Sequence, residues 1–209
     1  MGSSYNLSFT AVSLAFHENE ELARLYLESG DWGIVEREVE ENNLILRQEK
    51  VKSRKRVFHE LKKRLTTLTD EELAYYREAT GAEVKALAML SCFKCYRFIR
   101  DFSSEVLRRK VLLFDYRILD SDYENYYETK RIAYAKLETL SDSTRRKLRQ
   151  VMFRIFVEAG MLDDLHRRNI QKPYLSENLL RLIVADDPKL LTAFLYSDAE
   201  IETMKERVG

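Results

Sequence analysis

An all-α fold is the expectation from this sequence, and three observations carry it. Six Gly and two Pro in 209 residues leave too little turn punctuation for a many-stranded protein. The abundant residues, Leu, Glu, Arg, Lys and Ala, are good helix formers. Apolar positions recur at steps of three and four through most of the chain, as expected of helices with one buried face. A hydrophobic content of 45% is enough for a real core. The expected architecture is a compact multi-helix globular fold with helix-turn-helix-like elements. No Pro/Gly/Ser-rich linker and no repeat of fixed period interrupts the chain, so residues 1–209 read as a single domain. An alternative division separates an N-terminal part, 1–140, from a C-terminal part, 141–209.

The elements follow in order. Tyr5 to Thr10 alternates in character and reads as a lone strand or an extended arm. Leu22, Ala23, Leu25 and Tyr26 form one face of a helix that Gly30 should stop. Asp31 caps the next helix, whose apolar stripe is Trp32, Val35 and Val39. These two helices make a first helix-turn-helix candidate. Ser53 is the expected cap of a third helix carrying Val57, Leu61 and Leu65, and Thr69 with Glu72 forms a capping box for a fourth. From Ala82 to Phe102 the apolar residues, among them Val84, Leu87, Leu90, Phe93, Tyr96 and Ile99, cover more than one face, which predicts the most buried helix. Ser103 or Ser104 should cap the helix after it, and Asp122 should open another that runs through Tyr123, Tyr126, Tyr127 and Tyr134. Ser141 to Thr144 offers several caps for a helix starting at Arg145 and stopping at Ala159 and Gly160. That stretch looks like part of a second helix-turn-helix or winged-helix unit. Short helices from Ser176, Pro188 and Asp198 finish the chain.

Several function classes find no support. No stretch approaches the roughly 20 apolar residues that span a bilayer, and no secretory signal pattern opens the sequence, so a cytoplasmic protein without a membrane partner is expected. Cys92 and Cys95 have the spacing of a metal or redox pair, but a structural zinc needs four ligands. His17, His59 and His166 are scattered, and the thiols lie within a helical pattern, so they read as helix-face residues with ordinary thiols. Gly-rich phosphate loops, zinc-protease pairs and serine elbows are all missing. The acidic pairs Asp163/Asp164 and Asp186/Asp187 are the basis for one enzyme alternative, a cryptic metal-dependent nuclease. The reading assigns no catalytic residue, no metal and no cofactor. The tyrosines, Tyr116 included, are read as packing residues in preference to a base-stacking platform.

Charge is the informative feature. The formal net charge is zero, from 35 basic and 35 acidic residues, yet the signs are segregated. His17 to Glu41 holds nine carboxylates against Arg24 and Arg37, a net −7. Arg47 to Arg64 holds nine basic residues against Glu49 and Glu60, a net +7. Arg145 to Arg168 is a second basic block, net +4. The first basic block adjoins the acidic one and is open to neutralisation by it. In the second, Arg145, Arg146 and Arg149 fall close together by helical spacing. They lie behind a cap-rich start whose backbone N–H groups suit phosphate.

Four segments carry a family resemblance: YNLSFT at Tyr5–Thr10, SCFKCYRFIRDF at Ser91–Phe102, SDSTRRKLRQV at Ser141–Val151 and EAGML at Glu158–Leu162. In these the chain resembles the BrxA family, small core proteins of bacteriophage-exclusion (BREX) phage-defence systems. The resemblance implies a small all-helical protein that binds double-stranded DNA beside other BREX components, and it supplies no catalytic residues. Together with the charge pattern it leads to the expectation of a non-enzymatic, monomeric DNA-binding accessory protein that contacts mainly phosphates. Two contact sets are expected: Arg145, Arg146, Lys147 and Arg149, and Lys52, Arg54, Lys55 and Arg56. The alternative is a protein-protein adaptor that docks through its acidic N-terminal helices.

Overall fold

Residues 5–208 are described by the computed structural model, and their regular elements are helical. The all-α expectation therefore holds. Helices α1 (Phe16–Ser29), α2 (Trp32–Glu41), α3 (Asn43–Leu46) and α4 (Val51–Leu65) pack together, with α1 and α4 lying on α6 (Ala82–Cys95). The short α5 (Asp70–Ala74) precedes α6. After α6 come α7 (Arg97–Phe102), a π turn over Ser103–Leu107 and α8 (Arg108–Leu112). Then follow α9 (Asp120–Ala133), α10 (Ala135–Glu138), α11 (Asp142–Glu158), α12 (Glu177–Asp186), a 3-10 turn over Pro188–Thr192 and α13 (Asp198–Val208). Buried apolar side chains run in one cluster from Tyr5 to Ile201.

Local signals set most boundaries. Gly30 takes the left-handed conformation (φ 67°) and its N–H closes α1 on the Tyr26 carbonyl at 2.7 Å, a conformation that costs glycine little. Asp31 Oδ1 accepts from the Gly33 N–H at 2.7 Å to cap α2, and the Thr69/Glu72 capping box is formed. Ser141 and Ser176 cap α11 and α12.

Four boundaries differ from the sequence reading. The Ala82–Phe102 helix breaks at Tyr96 (φ −123°, ψ 89°), whose buried hydroxyl sits between Arg64 and Glu60. Ser103 and Ser104 start no new helix. They lie in the π turn that joins α7 to α8, and Ser103 Oγ donates to the Ala193 carbonyl at 2.6 Å. Ser53 lies inside α4, which begins after Lys50. Asp122 is the third residue of α9 and accepts from the Leu119 N–H at 2.7 Å.

Tyr5 to Thr10 is neither a strand nor a free arm. Ser8–Ala11 forms a 3-10 turn, and Tyr5 and Phe9 are buried against Phe98. The Tyr5 hydroxyl donates to Asp101 at 2.8 Å. A buried backbone needs partners for its carbonyls, and here a single side chain from α4 provides them. Arg64, fully buried, donates to the carbonyls of Val12 (2.8 Å), Ser13 (2.6 Å) and Leu14 (3.2 Å), and its Nε donates to the Tyr96 hydroxyl at 2.9 Å. Glu60 completes the network, accepting from Tyr96, from Ser8 at 2.9 Å and from Lys63 at 2.5 Å.

Candidate nucleic-acid interface

Helix α11 buries Leu148, Val151, Met152, Phe153, Ile155 and Phe156. Phe153 and Phe156 meet Phe102 of α7, and Phe153 also meets Tyr123 of α9. That packing fixes which basic residues of the helix remain outside. Arg145 and Arg149 turn toward α9, where Asp120, Glu124 and Glu128 form a ladder at four-residue spacing. Arg145 pairs with Glu128 at 2.9 Å and lies over the Tyr127 ring, while Arg149 pairs with Glu124 at 3.2 Å. Arg146, Lys147, Gln150 and Arg154 are exposed on the other side, and none of the three cations forms an ion pair among the described residues. The predicted set is therefore divided, with Arg146 and Lys147 free and Arg145 and Arg149 held by α9. Arg154 joins the free face; its spacing of seven and eight from Lys147 and Arg146 already placed it there.

The first basic block is engaged by burial as well as by ion pairs. Arg54 is buried and donates to the carbonyls of Glu40, Gln48 and Glu49 at 2.8–2.9 Å. It is a structural staple of the α2–α4 connection, which removes it from any contact surface. Lys55 pairs with Glu40 at 2.7 Å, His59 lies 3.5 Å from Glu36, and Lys62 lies over the Trp32 and Phe58 rings. The acidic block thus answers the basic one directly. Lys52 and Arg56 are exposed and stand in no ion pair among the described residues. The helix that follows the first helix-to-helix turn, α2, buries Val35 and Val39 and presents Ile34, Arg37, Glu38 and Glu41 to solvent, a face of the wrong sign for a polyanion.

Behind α11, Gly160 (φ 72°) turns the chain into a hairpin over residues 161–171. Leu162 bridges Ile170 in antiparallel fashion, with Asp163 N–H on the Asn169 carbonyl (3.0 Å) and Gln171 N–H on the Met161 carbonyl (2.9 Å). Residues 116–118 add a third strand-like segment through the Arg117–Asn169 bridge. Arg168 ties the hairpin to the helices, pairing with Asp120 at 2.7 Å and lying 5.1 Å over the Phe153 ring. The Arg168 guanidinium beside Asp120 holds that carboxyl below the usual carboxylate range. None of these pairings was legible in the sequence beyond the basic character of the tip.

The remaining candidates have structural surroundings. Burial pushes the Cys92 thiol up to about 11 and raises Cys95 as well. Both shifts disfavour thiolate chemistry, in keeping with thiols that pack in and beside the core. Tyr123, Tyr126 and Tyr127 are buried, and Tyr126 and Tyr127 donate to the Phe98 and Leu137 carbonyls at 2.7 Å; Tyr116 is exposed. Asp163 and Asp164 accept backbone N–H groups within the hairpin. Asp186 pairs with Lys94 at 2.9 Å, and Asp187 caps the 3-10 turn after it. Among the described residues there is no group of three or more His, Cys, Asp or Glu placed to hold a metal, and no helix is long and apolar enough to cross a membrane.

Comparison with known proteins adds three findings. A family model described as BrxA matches residues 3–187. The BREX protein BrxA of Bacillus cereus (strain H3081.97) is 31% identical over 102 residues, which are 48% of this chain and 51% of that relative, so the chain spans about half the length of the curated relative it matches. A crystal structure of an uncharacterized protein from Magnetospirillum magneticum superposes with a TM-score of 0.78 at 20% identity, covering 92% of this chain and 98% of that one. This last likeness is one of fold.

Proposed function

The chain belongs to the BrxA family, and from that premise we propose that it is an accessory protein of a BREX phage-defence system that binds double-stranded DNA through α11. The observation that carries the reading is the exposed, unpaired cationic face of Arg146, Lys147 and Arg154 on a helix whose opposite face is anchored in the core. The element order supports it, with the one-turn α10 as part of the connection: helix (α7–α8), strand-like segment (116–118), helix (α9), α10, helix (α11), hairpin (161–171). That is the order of a winged helix-turn-helix, in which the second helix of the turn enters the major groove. Ser141 at the cap, with Ser143 and Thr144 beside it, gives the helix start hydroxyls and N–H groups suited to phosphate.

Arg145 and Arg149 form a reserve. They are about one-third exposed, and exposed ion pairs of this kind are worth only about 0.2–1 kcal/mol, so a phosphate can compete for them. Lys52 and Arg56 form a secondary patch, with Lys55 available only at the expense of Glu40. Contacts made mainly to phosphate give binding that is strongly salt-dependent and weakly sequence-selective.

Fluorescence anisotropy with a duplex of about 20 base pairs, at low and near-physiological salt, tests this. Tight binding is expected at low salt. Replacing Arg146, Lys147 and Arg154 together by Ala should weaken it at least tenfold and flatten the salt dependence by about three counterions. No binding at low salt, or unchanged affinity of the triple variant, would reject the reading.

A second reading has its own observation. The acidic face of α1–α3 also exposes Ile34 and Leu44, 44% and 77% accessible, an apolar-acidic surface of the kind that suits a basic partner protein of the same defence system. Recovery of other BREX components after nuclease treatment, lost on Glu38→Lys with Glu41→Lys, would support that adaptor role. Recovery abolished by nuclease would count against it.

A further inference from the structure

The hairpin that follows α11 has a tip built differently from an ordinary loop. Asp163 Oδ1 accepts the N–H groups of Asp164 (2.7 Å) and Asn169 (2.8 Å), and its Oδ2 accepts from Asn169 Nδ2 at 2.7 Å. Asp164 Oδ1 accepts the N–H groups of His166 (2.6 Å) and Arg167 (2.7 Å). At the tip's trailing end Arg168 takes the left-handed conformation (φ 54°) and is held back on Asp120 and Phe153. Leu165, His166 and Arg167 are exposed at the tip, beyond an exposed Asp163 whose carboxylate is occupied by N–H donors. The Arg167 side chain is 78% accessible; Asp164 stands at 3.9 Å, and Asp163, tied up by backbone N–H groups, is the other carboxylate within electrostatic reach.

Two arginines adjacent in sequence thus have opposite fates: Arg168 fastens the hairpin beside α11, and Arg167 is left pointing away on a rigid base. A backbone held in this way needs no further ordering on binding, so the entropic cost is confined to the arginine side chain itself. Resting on the DNA-binding reading above, we propose that the 161–171 hairpin is a second DNA contact that places Arg167 in the minor groove, giving the protein a preference for narrow, A·T-rich duplex. The physical basis is the enhanced negative potential of a narrow minor groove, which attracts an inserted arginine without any base-specific bond. Helix α11 supplies affinity from phosphate contacts, and Arg167 supplies the discrimination.

Three duplexes of equal length separate the terms: one A·T-rich, one G·C-rich, and one in which inosine replaces guanine. An I·C pair keeps the major-groove acceptors of G·C and lacks the guanine amino group, so its minor groove resembles that of A·T. The wild-type protein should bind the A·T and I·C duplexes about three- to tenfold more tightly than the G·C duplex. Arg167→Ala should bring all three within about twofold of one another, while Arg146→Ala with Lys147→Ala should weaken all three and keep their order. Circular dichroism of Arg167→Ala checks that the hairpin change leaves the fold intact. A preference retained by Arg167→Ala, an I·C duplex that behaves like G·C, or equal wild-type affinities would each overturn the assignment while leaving α11 binding standing. Absence of binding to every duplex at low salt would remove both.

Discussion

The molecule contains two helix-to-helix turns whose outer helices have opposite electrostatic character. At Gly30 and Asp31 the chain passes from α1 to α2, and the outward face of α2 is acidic. Between α9 and α11 it passes through α10, and the outward face of α11 is basic. The block that follows α2 has the higher positive charge in sequence, yet four of its nine cations are consumed: Arg54 and Arg64 are buried against carbonyls, and Lys55 and Lys63 face carboxylates. The exposed remainder, Arg47, Lys50, Lys52 and Arg56, adjoins the acidic segment. The smaller C-terminal block keeps Arg146, Lys147 and Arg154 outside. A count of charges is therefore a poor guide to a binding surface unless the buried and paired members are first subtracted.

The largest test of this contrast is Arg64→Ala. Removing the guanidinium leaves the half-buried Val12 and Ser13 carbonyls without their side-chain donor, takes one of two donors from the Leu14 carbonyl, and leaves the Tyr96 hydroxyl with Glu60 alone. A loss of about 3–5 kcal/mol in urea unfolding is expected. Arg146→Ala, on an exposed face, should stay within about 0.5 kcal/mol. Equal losses for the two variants would break the distinction between structural and surface cations.

Next in size is an effect of acid. Burial pushes the Glu60 carboxyl up, but hydrogen bonds from Lys63, Tyr96 and Ser8 outweigh that and hold it below the usual carboxylate range. A carboxyl with a depressed folded pKa contributes stability that is fully present above its unfolded value, about 4.3. That stability is lost as pH falls through the folded value. Glu60→Gln should therefore lower stability by about 1–2 kcal/mol at neutral pH. The deficit should shrink below about pH 4, measured as the difference between two urea titration series. A deficit that does not change with pH would show that the carboxylate's charge is not what holds Ser8 and Tyr96.

Local features were legible in the sequence and distant ones were not. Gly30, Asp31, the Thr69/Glu72 pair, Ser141 and Ser176 all act on backbone within a few residues, so their roles can be read from neighbours alone. The fates of Arg54 and Arg64 depend on carbonyls 5–14 and 50–52 positions away, which no helical spacing reveals. Tyr5 to Thr10 differs from its expected form for the same reason, since its alternation suits a strand while Asp101 and Glu60, far away in sequence, hold Tyr5 and Ser8 and fix it as a turn. One signal was present and carried information: Asp120, Glu124 and Glu128 at four-residue spacing mirror Arg145 and Arg149, a complementary pair of ladders on the helices either side of α10.

That pair of ladders gives the third test. Glu124→Gln with Glu128→Gln frees Arg145, leaves Arg149 only its longer contact with Asp120 at 3.8 Å, and removes two negative charges beside the proposed interface. DNA affinity should rise about two- to fivefold at low salt, with a steeper salt dependence. The matched change in the N-terminal half, Glu36→Gln with Glu40→Gln, also releases cations, but next to an acidic face, and should leave affinity nearly unchanged. An equal gain from both pairs would mean that the two halves face the nucleic acid alike.

The smallest expected effect concerns the residues of the first block that remain outside. Lys55→Ala should leave the urea midpoint essentially unchanged, because its pair with Glu40 is solvent-exposed. Lys52→Ala with Arg56→Ala removes two exposed cations without disturbing any ion pair or the Arg54 staple. If these residues touch the duplex only at the margin of its phosphate track, affinity should fall no more than about twofold and the salt dependence should lose less than about one counterion. A tenfold loss, comparable with that of the α11 variants, would raise the N-terminal patch to a second full contact surface. The −7 segment next to it would then have to lie off the duplex path, since nine carboxylates against phosphate would repel it.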